Sequence, residues 1–292
     1  MSNQTVNNYR FFLYISLLYN HISLIMKIKL ILSFAILSLL FSCSSDSSNG
    51  SDSSSQTNYF PLALRNYWKY RVVTNAVTQT DSLYISNDTT INTKVYKKFK
   101  TRNAPIGFFS NSMNKNAVRI DGYRLLLTGS IGFDFGAGLP INLSLSDYVI
   151  FQENATNNQD LGSVSGVINQ TVANYPLVIN YTLKSTNIES LPTFSSNGRV
   201  YTDVKKIKTV LNAKISTTLT APGIPFPVVV SILDQQDVVT SYQYYSKTIG
   251  MVYTNTTISY RLNTLPGGIT LPLPSTGSQT QEEFLETYDV SH

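Results

Sequence analysis

The chain has 292 residues, of which 42% are hydrophobic, 12% aromatic and 13% charged, and its formal net charge is +5. This hydrophobic and aromatic content excludes a chain that is disordered throughout. Three of its 22 basic residues and none of its 17 acidic residues lie in residues 1–43, so the remainder has 19 basic side chains, 17 acidic ones and a net charge of +2. That balance excludes the concentrated basic surface of most nucleic-acid-binding proteins, and no nucleic-acid partner is expected.

Histidine and cysteine are scarce. His21 lies in an apolar N-terminal region, His292 is the last residue, and Cys43 is the single cysteine. A Ser-His-Asp or Cys-His mechanism needs an imidazole that accepts and returns a proton, and zinc sites are built mainly from His and Cys. The sequence therefore predicts no catalytic residue of these classes, no metal site, no cofactor and no disulfide bond.

Residues 26–43, MKIKLILSFAILSLLFSC, have the layout of an export signal. Lys27 and Lys29 precede an apolar run over residues 30–41, which is too short for the roughly 20 residues that span a bilayer but matches the apolar part of a signal peptide. The end of the run, Leu40-Phe41-Ser42-Cys43, resembles the lipobox of bacterial lipoproteins, with Phe41 where that motif usually has a small residue. The resemblance implies cleavage before Cys43 and acylation of Cys43.

The alternative is a transmembrane anchor that joins this run to the apolar residues 11–25. Polar residues between the two runs, among them Lys27 and Lys29, are costly in hydrocarbon. We therefore expect residues 1–42 to be a leader and signal peptide with a true start at Met26, and residues 43–58 to be the lipidated Cys43 and a flexible Ser-, Gly- and Asp-rich linker. Residues 59–292 would form one β-rich domain, anchored to the outer membrane on its periplasmic or cell-surface face.

The predicted domain opens with Tyr59-Phe60-Pro61-Leu62 and continues into residues 66–72, NYWKYRV. Trp68, Tyr70 and Val72 alternate with polar residues, which predicts a half-buried strand with Trp68 facing the core. The alternative for Trp68 is a surface on which a sugar ring stacks.

Two hairpins and a loop are predicted next. Asn87-Asp88 is a turn-forming pair between strands at 82–86 and 94–101, and Asp121-Gly122 is a strong hairpin signal between strands at 117–121 and 123–128. Residues 129–140, GSIGFDFGAGLP, lack the ending of a phosphate-binding loop and predict a glycine-rich apolar loop. Its Phe133 and Phe135 are candidate contacts for a ligand or a partner, and a buried crossing of the loop is the alternative.

Longer strands are predicted in the second half. Every second residue is apolar or Thr from Val200 to Val204 and again from Ile207 to Ile215, but the alternation shifts by one residue at Lys205-Lys206. This shift predicts a β-bulge there and a sheet that curls toward closure. Residues 238–246 and 251–262 predict the clearest hairpin of the chain. Residues 281–290 predict a last edge strand or a short helix.

The opening YFPL…NYWKY and the segment YYSKTIGMVY at residues 244–253 together resemble a group of uncharacterised bacterial envelope lipoproteins. Arg65 and Thr248 stand where the corresponding motifs of that group have glycine. The resemblance implies a shared β fold, and it carries over no catalytic residue.

The expected fold is all-β: a single domain built on a curled antiparallel sheet, as a partial barrel or a sandwich. The expected function is a binding or interaction module for an apolar small molecule, a glycan or an envelope protein. The candidate ligand contacts are Trp68, Phe133, Phe135 and Tyr244. Two alternatives remain: a structural component of an outer-membrane complex, and a glycoside hydrolase that uses two carboxylates. The acids available to the hydrolase are Asp121, Asp134, Asp147, Asp203 and Asp237.

Overall fold

The computed structural model describes residues 58–75, 77–134, 140–172, 174–219, 226–265 and 274–292. Within these ranges the chain forms twelve strands and one short helix. The elements are β1 (Tyr67–Thr74), β2 (Val77–Ile91), β3 (Lys94–Thr101), α1 (Phe108–Met113), β4 (Ala117–Asp121), β5 (Arg124–Asp134), β6 (Pro140–Gln152), β7 (Gln159–Val172), β8 (Tyr175–Ser196), β9 (Arg199–Leu219), β10 (Val228–Ser246), β11 (Gly250–Arg261) and β12 (Thr276–Asp289). The predicted signal peptide, Cys43, the predicted linker up to residue 57, and Phe135 lie outside the described residues.

All the strands belong to one antiparallel sheet, in the order β6-β5-β4-β3-β2-β1-β12-β11-β10-β9-β8-β7. The sheet curls until its two edge strands, β6 and β7, lie next to each other. A Cβ atom on Gly162 of β7 would lie 3.3 Å from the Cβ of Val149 in β6. The sheet is therefore nearly closed into a barrel, which confirms the predicted all-β, single-domain fold.

The core lies on the inner face of the sheet. Trp68, Tyr70 and Val72 of β1 are buried, as their alternation predicts. The Phe60 ring stacks on Trp68 with ring centroids 4.9 Å apart, so the opening segment fills the interior beside β1. Burying a large aromatic side chain of this kind stabilises the fold by about 2–3 kcal/mol relative to leaving it exposed.

The two segments that carry the sequence resemblance meet in space. The Tyr70 hydroxyl donates to the carbonyl of Met251 at 3.0 Å. A Cβ atom on Gly250 would lie 2.9 Å from the Phe60 ring, and the φ of Gly250 is +106°. Glycine is therefore required at position 250 both by its backbone conformation and by the close approach of Phe60.

The first predicted turn is wrong. Strand β2 continues through Asn87 and Asp88, and the turn to β3 is formed by Asn92 and Thr93, whose φ values are +47° and +67°. Two consecutive positive φ values are typical of the tight turns that match the twist of a hairpin. The ladder between β2 and β3 shifts register between Ile85 and Asn87, so the Asn-Asp pair follows an irregularity within the strand.

The hairpin at Asp121-Gly122 is confirmed, with Gly122 at φ +59° between β4 and β5. The glycine-rich loop predicted directly after it is wrong over residues 129–134, because β5 continues to Asp134. Gly129 has φ +146° and packs against the Asn116 side chain, whose Oδ1 atom accepts from the Ser130 amide at 2.9 Å. Gly129 therefore allows the Asn116 side chain to approach the strand backbone closely, and it does not mark a flexible loop.

The ends of β8 and β9 form a hairpin arm, residues 193–202, beyond a hinge at which Pro192 and Asp203 do not pair. Asp203 has φ +49°. The arm turns back over the outer face of the sheet, because Asn197 at its tip accepts from Arg71 Nη2 of β1 at 2.9 Å. Tyr201 is consequently buried, while Val200 on the other face of the arm is 68% exposed.

The predicted change of parity in β9 is close to this hinge, but the predicted bulge is on the wrong strand. Asn187 and Glu189 of β8 oppose Ile207 and Lys206 of β9, so the extra residue is Ile188. Val200, which the alternation along this strand would turn inward, faces solvent because the arm folds outward at Asp203.

The last predicted element is a strand, although it does not lie at an edge. β12 pairs with β1 on one side and with β11 on the other, at the centre of the sheet. Its inward residues include the polar Gln281 and Glu283, which have specific partners inside the sheet. No helix within the described ranges is both long enough and apolar enough to cross a membrane.

Candidate functional site

The helix α1 lies inside the curled sheet. It has six residues, of which Phe109, Ser110 and Met113 are buried. The Phe109 ring lies 6.0 Å from Tyr70 of β1 and 6.3 Å from Tyr245 of β10, measured between centroids. These contacts with inward-facing residues place the helix against the inner face of the sheet.

Three polar side chains hold the start of α1, and we call Asp81, Gln281 and Glu283 the polar clamp. Asp81 of β2 accepts from the amides of Ile106 and Gly107 at 3.0 and 2.7 Å. The two β12 side chains accept from the next amides: Gln281 from Phe108, and Glu283 from Phe109 and Ser110. Five consecutive amides are thus satisfied by side chains of the sheet, which removes the cost of burying unpaired donors.

Gly107 lies between the two carboxylates of the polar clamp. A Cβ atom at this position would overlap the Glu283 carboxylate and would lie 2.9 Å from Asp81 Oδ2. The φ and ψ of Gly107 are −65° and 140°, which any residue can adopt. Glycine is required at this position because the backbone passes so close to two side chains.

The polar clamp contains two carboxylates and no cation. Within the described ranges, neither Asp81 nor Glu283 has a Lys or Arg nitrogen within 4.0 Å. The pKa of Glu283 is raised to about 7, because burial and the charge of Asp81 together outweigh the hydrogen bonds from Phe109 and Ser110, which act in the opposite direction. Glu283 therefore changes its charge near neutral pH.

A cavity lies between α1 and the inner face of the sheet. It contains about 480 Å³ of space free of protein atoms, counted out to its open mouth, and about 40 Å³ of this can hold the centres of water-sized molecules. One water needs roughly 10–15 Å³ on that measure, so the cavity holds about three waters or a slender apolar group of similar size. The wall is formed by Phe108, Phe109, Ser112 and Met113 of α1, Leu127, Ile131 and Phe133 of β5, Tyr148 and Ile150 of β6, Leu183 of β8, Thr209 of β9, and Gln243 and Tyr245 of β10.

One side of the cavity is polar. The Tyr148 hydroxyl lies 2.6 Å from the Ser185 hydroxyl, which lies 3.3 Å from the Thr209 hydroxyl. Thr209 also lies 3.3 Å from Gln243 Oε1, and burial raises the pKa of Tyr148 to about 12. A largely apolar wall with a few polar groups on one side is typical of a small-molecule site.

The three described residues among the predicted ligand contacts lie in different parts of the structure. Phe133 is buried in β5 and lines the cavity, so it is well placed for the predicted role. Trp68 is fully buried under Phe60 and presents no ring face to a sugar. Tyr244 is on the outer face of the sheet, where Phe194 of the hairpin arm stacks on it with ring centroids 4.2 Å apart.

The Tyr244 ring belongs to a row of aromatic side chains that fixes the hairpin arm. Tyr253 of β11 lies 5.4 Å from Tyr244 and 5.1 Å from Phe284 of β12, between centroids, and Arg71 lies 4.4 Å above the Phe284 ring. The arm therefore crosses this row, from Phe194 on Tyr244 to Asn197 beside Arg71.

Three of the five carboxylates considered for a glycoside hydrolase have side-chain partners in the described part of the chain. Asp147 accepts from both Nε and Nη2 of Arg119 at 2.9 Å, and Asp121 lies 3.5 Å from Arg119 Nη1. Asp203 is at the hinge of the hairpin arm, and Asp237 accepts from Asn212 at 2.8 Å. None of these acids lines the cavity, and the side chain of Asp134 lies outside the described ones.

Sequence reasoning missed the polar clamp and α1. A helix of six residues is shorter than two turns, so it leaves no detectable hydrophobic period. The only local signal is that Gln281 and Glu283 share the inward side of β12 with Leu285, where an apolar residue is the usual choice. The structure places no group of three or more His, Cys, Asp or Glu side chains suited to a metal ion within the ranges it describes.

No protein-family model matches the sequence, and no curated protein matches it. Among solved structures, one similar chain comes from Parabacteroides distasonis ATCC 8503 and is provisionally named a lipoprotein. The two chains are 11% identical with a TM-score of 0.32, over 80% of this chain and 99% of that one. A likeness at this TM-score supports no conclusion about this protein.

Proposed function

We propose that this protein is a lipid-anchored binding protein of the bacterial outer membrane, and that it takes up a slender apolar ligand in the cavity beneath α1. The cavity is the observation that supports the binding role, because its wall is apolar on most sides and carries hydroxyl and amide groups on one. The lipid anchor is supported by the sequence of residues 26–43 and its Cys43.

The size of the cavity limits the class of ligand. Space for about three waters accommodates a short stretch of an aliphatic chain, with a hydroxyl or similar head group near Thr209 and Gln243. A sugar ring fits less well, because the one tryptophan is covered by Phe60. The proposal therefore favours the apolar ligand over the glycan.

Methyl-detected NMR of the domain, titrated with n-alkanols from butanol to decanol, tests this proposal. We expect chemical shift changes at the methyl groups of Met113, Leu127 and Ile131, which line the cavity, and none at Ile85, which is buried elsewhere. Affinity should rise with chain length, by about 0.8 kcal/mol per buried methylene, until the cavity is full. Saturable shifts outside the cavity, or none at all, would contradict the binding role.

A matched pair of variants links binding to the cavity. Leu183→Phe adds volume to the cavity wall and should weaken alkanol binding at least tenfold. Leu64→Phe makes the same chemical change on a residue that is 47% exposed and should leave binding unchanged. Equal binding by both variants would place the alkanol elsewhere.

The anchor is tested in cells. Cys43→Ser should abolish incorporation of labelled palmitate and release the protein from the membrane fraction or leave it as precursor, whereas Ser44→Ala should have no effect. Two acyl chains hold a protein far more firmly than one, so partial acylation would appear as a mixed distribution. Unchanged labelling in Cys43→Ser would overturn the anchor.

A further inference from the structure

The polar clamp gives the cavity a means of regulation, and this inference rests on the binding role proposed above. We propose that α1 is a gate over the cavity, and that its docking depends on the protonation of Glu283. The gate would be firmly closed when Glu283 is neutral and would open more often when Glu283 and Asp81 are both charged.

The position of α1 makes it suitable as a gate. Phe108, Phe109, Ser112 and Met113 form one wall of the cavity, so a displacement of the helix enlarges the cavity and widens its mouth. The helix is too short to be stable by itself. Its docking therefore depends on its apolar contacts and on the polar clamp at its first turn.

The clamp concentrates negative charge in the interior. The groups that face Glu283 are Asp81 from β2, Tyr70 from β1 and Ser110 from α1. Thr254, the register partner of Glu283 on β11, is uncharged. When Glu283 ionises, its charge is opposed by that of Asp81 across Gly107, with no cation from any of these elements to compensate it.

The direction of the effect follows from the pKa. The pKa of Glu283 is raised from 4.5 to about 7 in the docked state, and burial is the largest cause. The docked state therefore binds the proton more tightly than a state in which α1 has left the clamp and Glu283 is hydrated. Docking is favoured below pH 7 and weakened as the pH rises through 7, and between pH 6 and pH 8 linkage gives a change of about tenfold in the docking equilibrium.

Amide hydrogen exchange of the full-length chain tests the gate without any ligand. Exchange at residues 106–113, corrected for the intrinsic pH dependence, should become about tenfold less protected from pH 6 to pH 8. The hairpin arm, residues 193–202, serves as the internal control and should show constant protection. Constant protection at residues 106–113, or an equal loss in both segments, would overturn the gate.

Two variants assign the effect to the clamp. Glu283→Gln removes the titrating group and should make the protection of residues 106–113 independent of pH. Asp81→Asn keeps Glu283 but removes the negative charge that raises the Glu283 pKa, so we expect the loss of protection to occur at lower pH. An unchanged transition in both variants would contradict the assignment.

The same samples separate the gate from the binding role. If decanol binds with a pH-independent rate and exchange at residues 106–113 is also constant, the gate fails and the binding role stands. If exchange follows the expected pH dependence but no alkanol binds at pH 6 or pH 8, the binding role fails and α1 is a pH-sensitive element with another purpose.

Discussion

The indole Nε1 of Trp68 donates to the carbonyl of Ile249 at 2.7 Å, and this bond ties the opening strand to the hairpin between β10 and β11. Trp68 is fully buried, so removing the indole empties space in the core and takes this donor away from the Ile249 carbonyl. The residues are separated by 181 positions in the sequence, and both belong to segments that carry the sequence resemblance.

We expect Trp68→Phe to reduce the free energy of unfolding by about 2–3 kcal/mol, because it leaves a cavity in the core and removes the hydrogen bond to the Ile249 carbonyl. Urea denaturation followed by circular dichroism measures the change. Phe226→Leu, at a side chain that is 74% exposed, is the control and should alter stability by less than about 0.5 kcal/mol. Similar effects of the two changes would show that the Trp68–Ile249 bond adds little.

The two positions at which the resemblance expects glycine both have left-handed backbone conformations. The φ of Arg65 is +72° and that of Thr248 is +63°. A β-branched residue is strained in this region by about 1–2 kcal/mol, and glycine is not.

Thr248→Gly should therefore stabilise the protein by about 1 kcal/mol, and Arg65→Gly by less, after allowance for the greater freedom of glycine in the unfolded chain. Gly250→Ala is the opposite test and should destabilise the protein, because its Cβ would meet Phe60. Thermal unfolding of the three variants measures these changes in stability. A loss of stability in Thr248→Gly would show that Thr248 is not strained.

Asp147 is the centre of an ion-pair network with Arg119, Lys94 and the hydroxyl of Tyr96. The Arg119 guanidinium holds the pKa of Asp147 well below its usual range. A carboxylate with a lowered pKa stabilises the fold above the pKa of the unfolded chain, and this contribution is lost as the pH falls through the folded-state value.

We expect Asp147→Asn to cost about 2 kcal/mol at pH 7, with a smaller difference from the natural chain as the pH falls below 4. Asparagine tolerates the φ of +49° at this position, so the change tests the charge and not the backbone. Asp88→Asn removes an exposed pair with Lys97 and should cost less than about 0.5 kcal/mol. A difference that stays constant from pH 7 to pH 3 would exclude the ionic explanation.

Phe194 fixes the hairpin arm through its contact with Tyr244. Phe194→Ala should release the arm and expose Tyr201, which increases the rate of proteolysis within residues 193–202 while the rest of the sheet remains resistant. The matched control is Val200→Ala, on the solvent face of the same arm. Equal proteolysis of both variants would indicate that the aromatic contact does not hold the arm.

The parts of the fold that depend on local pattern could be predicted from the sequence. The alternation at Trp68, Tyr70 and Val72 and the turn at Asp121-Gly122 are such features, because residues close in the sequence determine them. The turn predicted at Asn87-Asp88 is wrong, because residues that favour turns also occur at irregularities within long strands.

The polar clamp could not be predicted, because it joins residues that are far apart in the sequence. Asp81, Gly107 and Glu283 lie on three different elements, and only the curvature of the sheet brings them together. The same reason applies to Tyr244, a candidate ligand contact whose ring instead stacks on Phe194 of the hairpin arm. Phe133 lies on β5 and not on the predicted loop, because glycine also occurs within strands where the backbone is closely approached, and its side chain lines the cavity.

The pairing of β1 with β12 has a consequence for how the molecule is made. Trp68 lies opposite Tyr288, so the middle of the sheet consists of one strand from near the start of the chain and one from near its end. Contacts of such long sequence separation form late. Because a polypeptide is synthesised from its N-terminus, this sheet cannot be completed until residues 276–289 have left the ribosome, so the unfinished chain must be kept from aggregating until then.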